Sequence, residues 1–373
     1  MIRVGITGQP GFVGSHLYNY LGLQKNIERI PCDDAFFQDE TALRHFVRQC
    51  DVIVHLAAMN RHPDQQVIYD TNVLLVRQLI TAMEAESVTP HVLFSSSTQE
   101  DKDNLYGASK REGRRLLDEW AARSGGKFTG LVIPNVFGPF GRPNYNSMVA
   151  TFCHKLTHEE TPEVIVDSTL KLIYVGDLCR EILTVITGEI KHNPYYVPHN
   201  AEKKVTEILA LLINYKKQYY DTGIVPHLTD RFEQNLFNTF VCYIDHRKYY
   251  PRQLKLNTDE RGSFVETIKL DHAGGQVSFS TTRPGITRGN HYHTRKFERF
   301  AVIKGNARLQ LRRIGSSEAL NFDIDADACP AYVDMPIWYT HNITNTGNDT
   351  VYTIFWINEF FDPADSDTFL EKV

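Results

Sequence analysis

Gly285-Ile286-Thr287-Arg288-Gly289-Asn290-His291-Tyr292-His293-Thr294-Arg295-Lys296-Phe297-Glu298, followed by Gly305, carries two histidines at i and i+2 and a glutamate five residues after the second. In an extended strand, side chains at i and i+2 point to the same face. Glu298 reaches the same pocket from further along that strand or from its successor. A fourth candidate, His341, lies in Pro336-Ile337-Trp338-Tyr339-Thr340-His341-Asn342. Three imidazoles and one carboxylate make a compact nitrogen and oxygen set for a divalent metal, and zinc suits it.

The surrounding sequence reads as short strands: Phe264–Ile268, Gln276–Phe279, Phe300–Ile303, Arg308–Leu311, Tyr332–Asp334 and Val351–Ile357. Strands at this density, separated by Gly and Asn turns, predict an antiparallel barrel or jelly roll. A polar, aromatic and Pro-containing stretch at 244–253 places a boundary there. An all-β domain over 244–373 is expected.

The first half has a different texture. Ile2–Thr7 reads as a strand, Gly8-Gln9-Pro10-Gly11-Phe12-Val13-Gly14 as a turn, and Ser15–Leu21 as a helix. Glycines let such a turn tighten and let its backbone approach a pyrophosphate, while the helix N-terminus offers unpaired N–H groups. Gly8, Gly11, Phe12, Val13 and Gly14 are therefore candidate dinucleotide contacts. Asp33, after a second strand near Ile27–Pro31, suits a ribose hydroxyl or is simply a loop residue. Asp51–Leu56 reads as a buried parallel strand, with Leu56 and Ala57 passing close to a cofactor. A strand at His91–Phe94 ends in Ser95-Ser96-Ser97. Tyr106 and Lys110 follow on a helix, four residues apart and on one face. A lysine beside a phenol favours the phenolate, although Tyr and Lys at this spacing also occur on solvated helix faces.

Bulk properties exclude several classes. The 373 residues carry a formal net charge of -5, with 42% hydrophobic and 23% charged residues, and no Lys/Arg block. Nucleic acid and membrane surfaces are not the expected partners. No apolar run is long enough to span a bilayer, and the start lacks the features of a signal peptide. Six scattered cysteines without a CxxC read as free thiols of a cytoplasmic protein.

With these residues in view, the first half resembles extended short-chain dehydrogenases/reductases of the nucleotide-sugar type. The resemblance implies a Rossmann-like α/β domain with a small substrate lobe over 1–243. It also implies the catalytic set Ser97, Tyr106 and Lys110, with Lys110 on the nicotinamide ribose. Asn135, in Leu131–Pro139, would lie near the sugar nucleotide. Arg142 is a candidate diphosphate partner or a surface charge. The second half resembles the cupin family, whose first motif is matched in spacing from Gly285 to Gly305; Trp338 replaces the usual glycine of the second motif. That resemblance implies His291, His293, Glu298 and His341 as metal ligands.

Asp259–Glu266 and Thr287–Tyr292 further resemble deoxy-hexulose nucleotide 3-epimerases, which implies substrate roles for Arg261 and Arg288. In that family the residue matching His291 is a base, so His291 is either ligand or base, and Tyr339 is an alternative proton carrier.

The whole chain resembles bifunctional capsular-polysaccharide epimerase/reductases. The resemblance implies C3 epimerisation of UDP-2-acetamido-2,6-dideoxy-L-arabino-4-hexulose in the second domain. Reduction at C4 by NADPH or NADH would then give UDP-2-acetamido-2,6-dideoxy-L-talose. The alternative is a single-activity reductase or epimerase whose cupin serves dimerisation or ligand binding. A homodimer acting on a UDP-linked 4-keto-6-deoxy-N-acetylamino sugar is expected.

Overall fold

Aliphatic runs broken by turn glycines set the alternation of strand and helix in the first half. In the computed structural model, which describes residues 1–189, 192–260, 262–271 and 274–373, this half gives β1 (Ile2–Thr7), α1 (Phe12–Leu21), β2 (Ile27–Ile30), α2 (Glu40–Gln49), β3 (Val52–His55) and α3 (Gln65–Ala85). Next come β4 (His91–Ser97), α4 (Leu105–Ser124), β5 (Phe128–Ile133), β6 (Asn135–Phe137), α5 (Met148–Thr157), β7 (Thr169–Tyr174), α6 (Val175–Ile186), β8 (Tyr195–Tyr196) and β9 (Ala201–Lys204). Packing separates two units, Met1–Thr151 with Val164–Val205, and Phe152–Glu163 with Thr206–Val373.

The first unit is built on a six-stranded sheet of order β2-β1-β3-β4-β5-β8, parallel at every pairing. Strands buried on both faces need helices on both faces. One core packs Phe46, Leu79, Met83 and Trp120 of α2, α3 and α4 against Ile53 and Phe94. The other packs Leu17 and Leu21 of α1 and Ile182 and Val185 of α6 against Val4, Val54 and Leu131. This is the expected Rossmann-like arrangement. The order reverses between β1 and β3, where such sheets place their crevice. A second sheet of order β6-β7-β9 lies in the same unit.

The second unit contains α7 (Val205–Tyr215), a π-helical turn over Lys216–Tyr220, α8 (Arg231–Val241), α9 (His246–Tyr249), β10 (Arg252–Gln253), β11 (Leu256–Asp259) and β12 (Gly262–Val265). It continues with β13 (Gln276–Thr282), β14 (Thr287–Tyr292), β15 (Glu298–Lys304), β16 (Asn306–Arg313), β17 (Ala319–Asp325), β18 (Ala331–Met335), β19 (Tyr339–Asn345), β20 (Val351–Ile357) and β21 (Phe369–Leu370). Two five-stranded sheets run in the orders β10-β18-β15-β20-β13 and β17-β16-β19-β14-β21, and β11 and β12 form a separate hairpin. All these pairings are antiparallel. This β-rich unit follows the sequence expectation of many short strands.

Packing groups residues 206–243 with these sheets, earlier than the change of texture at 244–253. The reason is a polar and aromatic seam. Arg299 and Asp334, 1% and 0% exposed, pair at 2.7 Å between neighbouring strands. Tyr219 donates to Asp334 Oδ2 at 2.5 Å, and Arg299 Nη1 donates to the Gly223 carbonyl at 2.8 Å. Phe237 of α8 meets Phe297 edge to face at 5.5 Å. The π turn places Tyr219 in this seam, where burial pushes its phenol well above the ordinary value.

Candidate functional site

Two sites emerge, one in each unit. In the first, Gly8 has φ +69 and a Cβ there would lie 2.7 Å from the Ala57 nitrogen. A Cβ on Gly14 would lie 2.2 Å from the Gly8 carbonyl oxygen. The turn can close this tightly only with glycine at both positions. Gly11 caps α1 without a side-chain hydrogen bond, so the first-turn N–H groups at Phe12, Val13 and Gly14 lack a side-chain cap. Helix ends of this kind bind anions. Leu56, whose N–H donates to the Thr7 carbonyl at 3.2 Å, and half-buried Ala57 close the far side of the cradle. These features fit a dinucleotide. Asp33 stands just beyond β2 and caps the following 3-10 turn by accepting from the Ala35 N–H at 2.9 Å.

Tyr106 and Lys110 occupy the first turns of α4, which begins at Asn104 because its side chain accepts from the Gly107 N–H at 2.7 Å. Lys110 is 3% exposed, with its Nζ 3.5 Å from Ser95 Oγ and 5.7 Å from the Tyr106 ring centre. Burial lowers the Lys110 ammonium to about 8, against an opposing pull from Glu100. Tyr106 departs from the expectation that Lys110 favours its phenolate. Burial pushes its phenol up to about 12, and neighbouring Tyr145 adds to the shift. Desolvation of the charged form therefore keeps the phenol protonated at neutral pH.

Ser97 accepts from the Gln99 N–H at 3.1 Å, which leaves its own proton for an oxygen in the crevice. The 3-10 turn after Ser97 presses on α4: a Cβ on Gly107 would lie 2.2 Å from the Gln99 carbonyl. Glu100 locks that turn by accepting from Ser96 and from Arg114 at 2.8 Å. Asn135 is exposed and donates to the Lys171 carbonyl at 3.3 Å. Arg142 is exposed and lies 5.3 Å from the ring of Tyr145, which associates it with the Tyr106 neighbourhood. Ser95 and Tyr145 were not legible as site residues, since neither belongs to a motif.

In the second unit, His291, His293, Glu298 and His341 offer ligand atoms all within 4.8 Å of one another. His291 and His293 come from the β14 edge, Glu298 opens β15, and His341 comes from β19, so the two large sheets contribute to one cluster. Glu298 Oε2 stands 3.2 Å from both His293 Nε2 and His341 Nε2, outside good hydrogen-bond geometry for all three buried atoms. The opposite nitrogens are engaged: His293 Nδ1 donates to the Asp367 carbonyl at 2.6 Å, and His341 Nδ1 to the Tyr339 carbonyl at 3.2 Å. That tautomer aims the Nε2 lone pairs inward at a carboxylate. Converging lone pairs repel unless a positive centre lies among them, so the residues fit a divalent metal. Burial, then His341 and His293, lowers the His291 imidazole to about 4. Burial opposes ionisation of Glu298, and positive charge on the two histidines, or on a metal held among them, would keep its carboxyl well below the usual carboxylate range.

Trp338 supplies the turn where the sequence led us to look for glycine. It adopts φ +62, and its N–H donates to the His293 carbonyl at 2.8 Å. Arg288 is exposed on β14, and a bulge separates it from His291. It pairs with Ile343 and His291 with His341, leaving Asn290, at φ +60, as the extra residue. The two partners are two apart, so Arg288 and His291 share a sheet face. Arg261 lies outside the described residues. Tyr339 is half-buried and packs edge to face on His246 at 5.3 Å.

Residues 4–197 match the NAD dependent epimerase/dehydratase family, and residues 257–369 the polysaccharide biosynthesis C-terminal domain. A relative from Pseudomonas aeruginosa, UDP-2-acetamido-2,6-beta-L-arabino-hexul-4-ose reductase, is 32% identical over 99% of this chain and 98% of its own. The crystal structure of capsular polysaccharide assembling protein CapF from Staphylococcus aureus is 34% identical, with a TM-score of 0.63 and 100% of both chains covered. RMD from Pseudomonas aeruginosa, complexed with NADPH, is 21% identical over 58% of this chain and 83% of its own, with a TM-score of 0.52, a likeness of fold. No helix among the described residues is long and apolar enough to cross a membrane. With one family matched over residues 4–197 and a relative similar along its whole length, the chain belongs to the NAD dependent epimerase/dehydratase family, homologous to CapF and to that reductase.

Proposed function

We propose that the protein is an NAD(P)H-dependent reductase of a UDP-linked 4-keto-6-deoxy-N-acetylamino sugar. The observation that carries this reading is buried Lys110 with half-buried Tyr106 above it on the same helix, together with the glycine cradle. When bound, the reduced nicotinamide supplies the hydride for C4. Tyr106 donates its phenolic proton to the C4 oxygen as the carbonyl becomes an alcohol, and Ser97 donates a hydrogen bond to the same oxygen. Charged Lys110 stabilises the phenolate left behind. Phe12, Val13 and Gly14 carry the pyrophosphate on the α1 N-terminus, and Asn135 and Arg142 meet the sugar nucleotide. In this reading residues 1–243 serve reduction, and the β-rich part, 244–373, binds metal or sugar.

A second reading is favoured by the inward-facing set His291, His293, Glu298 and His341. There the β-rich part epimerises C3 before reduction, Arg288 binds substrate, and reduction yields the L-talo sugar. A divalent metal such as zinc would polarise the 4-keto group and so acidify the C3 proton.

The test is incubation of the full chain with the 4-keto UDP sugar and either NADPH or NADH, with NMR of the product. Reduction at C4 with one coenzyme supports the lead reading, and an unreduced ketone with both sinks it. Exchange of the C3 proton in deuterium oxide, lost in His293→Ala while C4 reduction of pre-epimerised sugar persists, supports the second. Unchanged exchange in that variant removes the cluster from the chemistry.

A further inference from the structure

The loop from Thr294 to Phe297 joins two members of the second-unit cluster, His293 and Glu298, and its N–H groups lie outside the strands. One distant side chain gathers three of them, while the Phe297 N–H donates to the Asn358 side chain at 3.0 Å. The Asp367 carboxylate accepts from the backbone N–H of Thr294 at 3.1 Å, of Arg295 at 2.9 Å and of Lys296 at 3.0 Å, and from the Thr294 hydroxyl at 2.6 Å. The same residue turns its carbonyl to His293 Nδ1 at 2.6 Å. Both contacts come from one residue at φ +42, a conformation that costs free energy in a non-glycine residue and persists where contacts over-determine it. Asp367 is 6% exposed, so its charge is satisfied by these donors rather than by water.

The segment that follows completes the grip. Leu370 pairs with His291 and Phe369 with Tyr292, and the Glu371 N–H donates to the Asn290 carbonyl at 3.0 Å. The segment from 367 to 371 therefore holds the loop before Glu298, the ring of His293 and the strand of His291.

We infer that Asp367 is the positioning residue of the divalent-metal site, fixing the His293 tautomer through its carbonyl and the His293–Glu298 spacing through its carboxylate. The inference rests on reading the cluster as a metal site. Partners of metal-bound histidines contribute about 10- to 100-fold to metal affinity.

The experiment measures Zn2+ affinity of the full chain by competition with a chromophoric chelator, and the absorption spectrum of the Co2+-loaded chain. Asp367→Ala, which keeps the carbonyl but removes the carboxylate that holds the loop, should weaken Zn2+ by about 10-fold, the low end of the range for such partners. At matched Co2+ occupancy its spectrum should shift, an effect that loss of stability alone does not produce. Circular dichroism and calorimetric melting of the full chain, compared with wild type, serve as the check that the second unit is folded. If Asp367→Ala does not fold, Asp367→Asn, which keeps the size, and Thr294→Val, which removes a single donor, should show smaller losses in the same direction. Zn2+ affinity within twofold of the wild type, with an unaltered Co2+ spectrum, overturns the role of Asp367 while leaving the metal site standing. A wild-type chain that binds neither Zn2+ nor Co2+ overturns both.

Discussion

The Lys110 ammonium stands 5.7 Å from the centre of the Tyr106 ring, and both groups are titrated by burial rather than by each other. With Lys110 lowered to about 8 and Tyr106 raised to about 12, the reactive form carries a charged lysine and a neutral phenol. The kcat/KM for reduction should fall as pH rises through about 8. Lys110→Arg, which stays charged, should carry any surviving activity to higher pH without that limb. Stability should move the other way. Unfolded lysine titrates near 10.4, so from about 8 upward to that value the unfolded chain holds the extra proton, and stability rises with pH. Rate profiles and denaturation midpoints across that window check both signs.

Replacing Tyr106 by Phe removes the proton donor and keeps the ring in its pocket. The turnover number should drop by about 10²- to 10⁴-fold. Fluorescence titration should find binding of reduced nicotinamide close to wild type. Normal turnover would show that another group protonates the product oxygen.

Gly14→Ala forces a methyl group to within 2.2 Å of the Gly8 carbonyl oxygen. The obstacle is backbone, so the turn itself must move. Such overpacking costs about 1–3 kcal/mol, or roughly 5- to 150-fold in coenzyme affinity if the cost falls on the bound state. Calorimetric titration with NADPH and NADH reads the loss directly.

Arg299→Ala strands Asp334 in a seam where both residues are buried. Breaking a buried pair in this way should cost about 3–5 kcal/mol. Arg308→Ala, which breaks an exposed pair with Asp323 in the other large sheet, should leave stability near wild type. Differential scanning calorimetry of the two variants tests the contrast.

What could be read from sequence was whatever repeats a local rule. Gly8, by its positive φ, and Gly14, by the nearby Gly8 carbonyl, favour glycine for reasons within one turn, although Gly8 also faces Ala57 of a distant segment. His291 and His293 share a face through strand geometry, and Tyr106 and Lys110 through helix geometry. What escaped depends on contacts distant in sequence. Asp367 meets His293 across 74 positions, and Tyr219 meets Asp334 across 115. The seam around Arg299 explains why 206–243 packs with the β-rich unit. The direction of the Tyr106 shift also escaped, because burial is a property of the packed crevice. Trp338 shows the opposite lesson: the residue departs from a motif, yet the backbone keeps the turn.

The extra residue in β14 has a consequence for how this site can drift. Asn290 is absorbed outside the ladder, so the three-residue step from Arg288 to His291 acts in space as a two-residue step. A chain lacking Asn290 could carry arginine two positions before the histidine and present both groups alike. Gap placement, rather than residue identity, is then the variable to follow when descendants of this strand are compared. Asn290 sits directly beside Gly289, where a Cβ would come within 2.8 Å of the His341 carbonyl and no side chain fits without a shift.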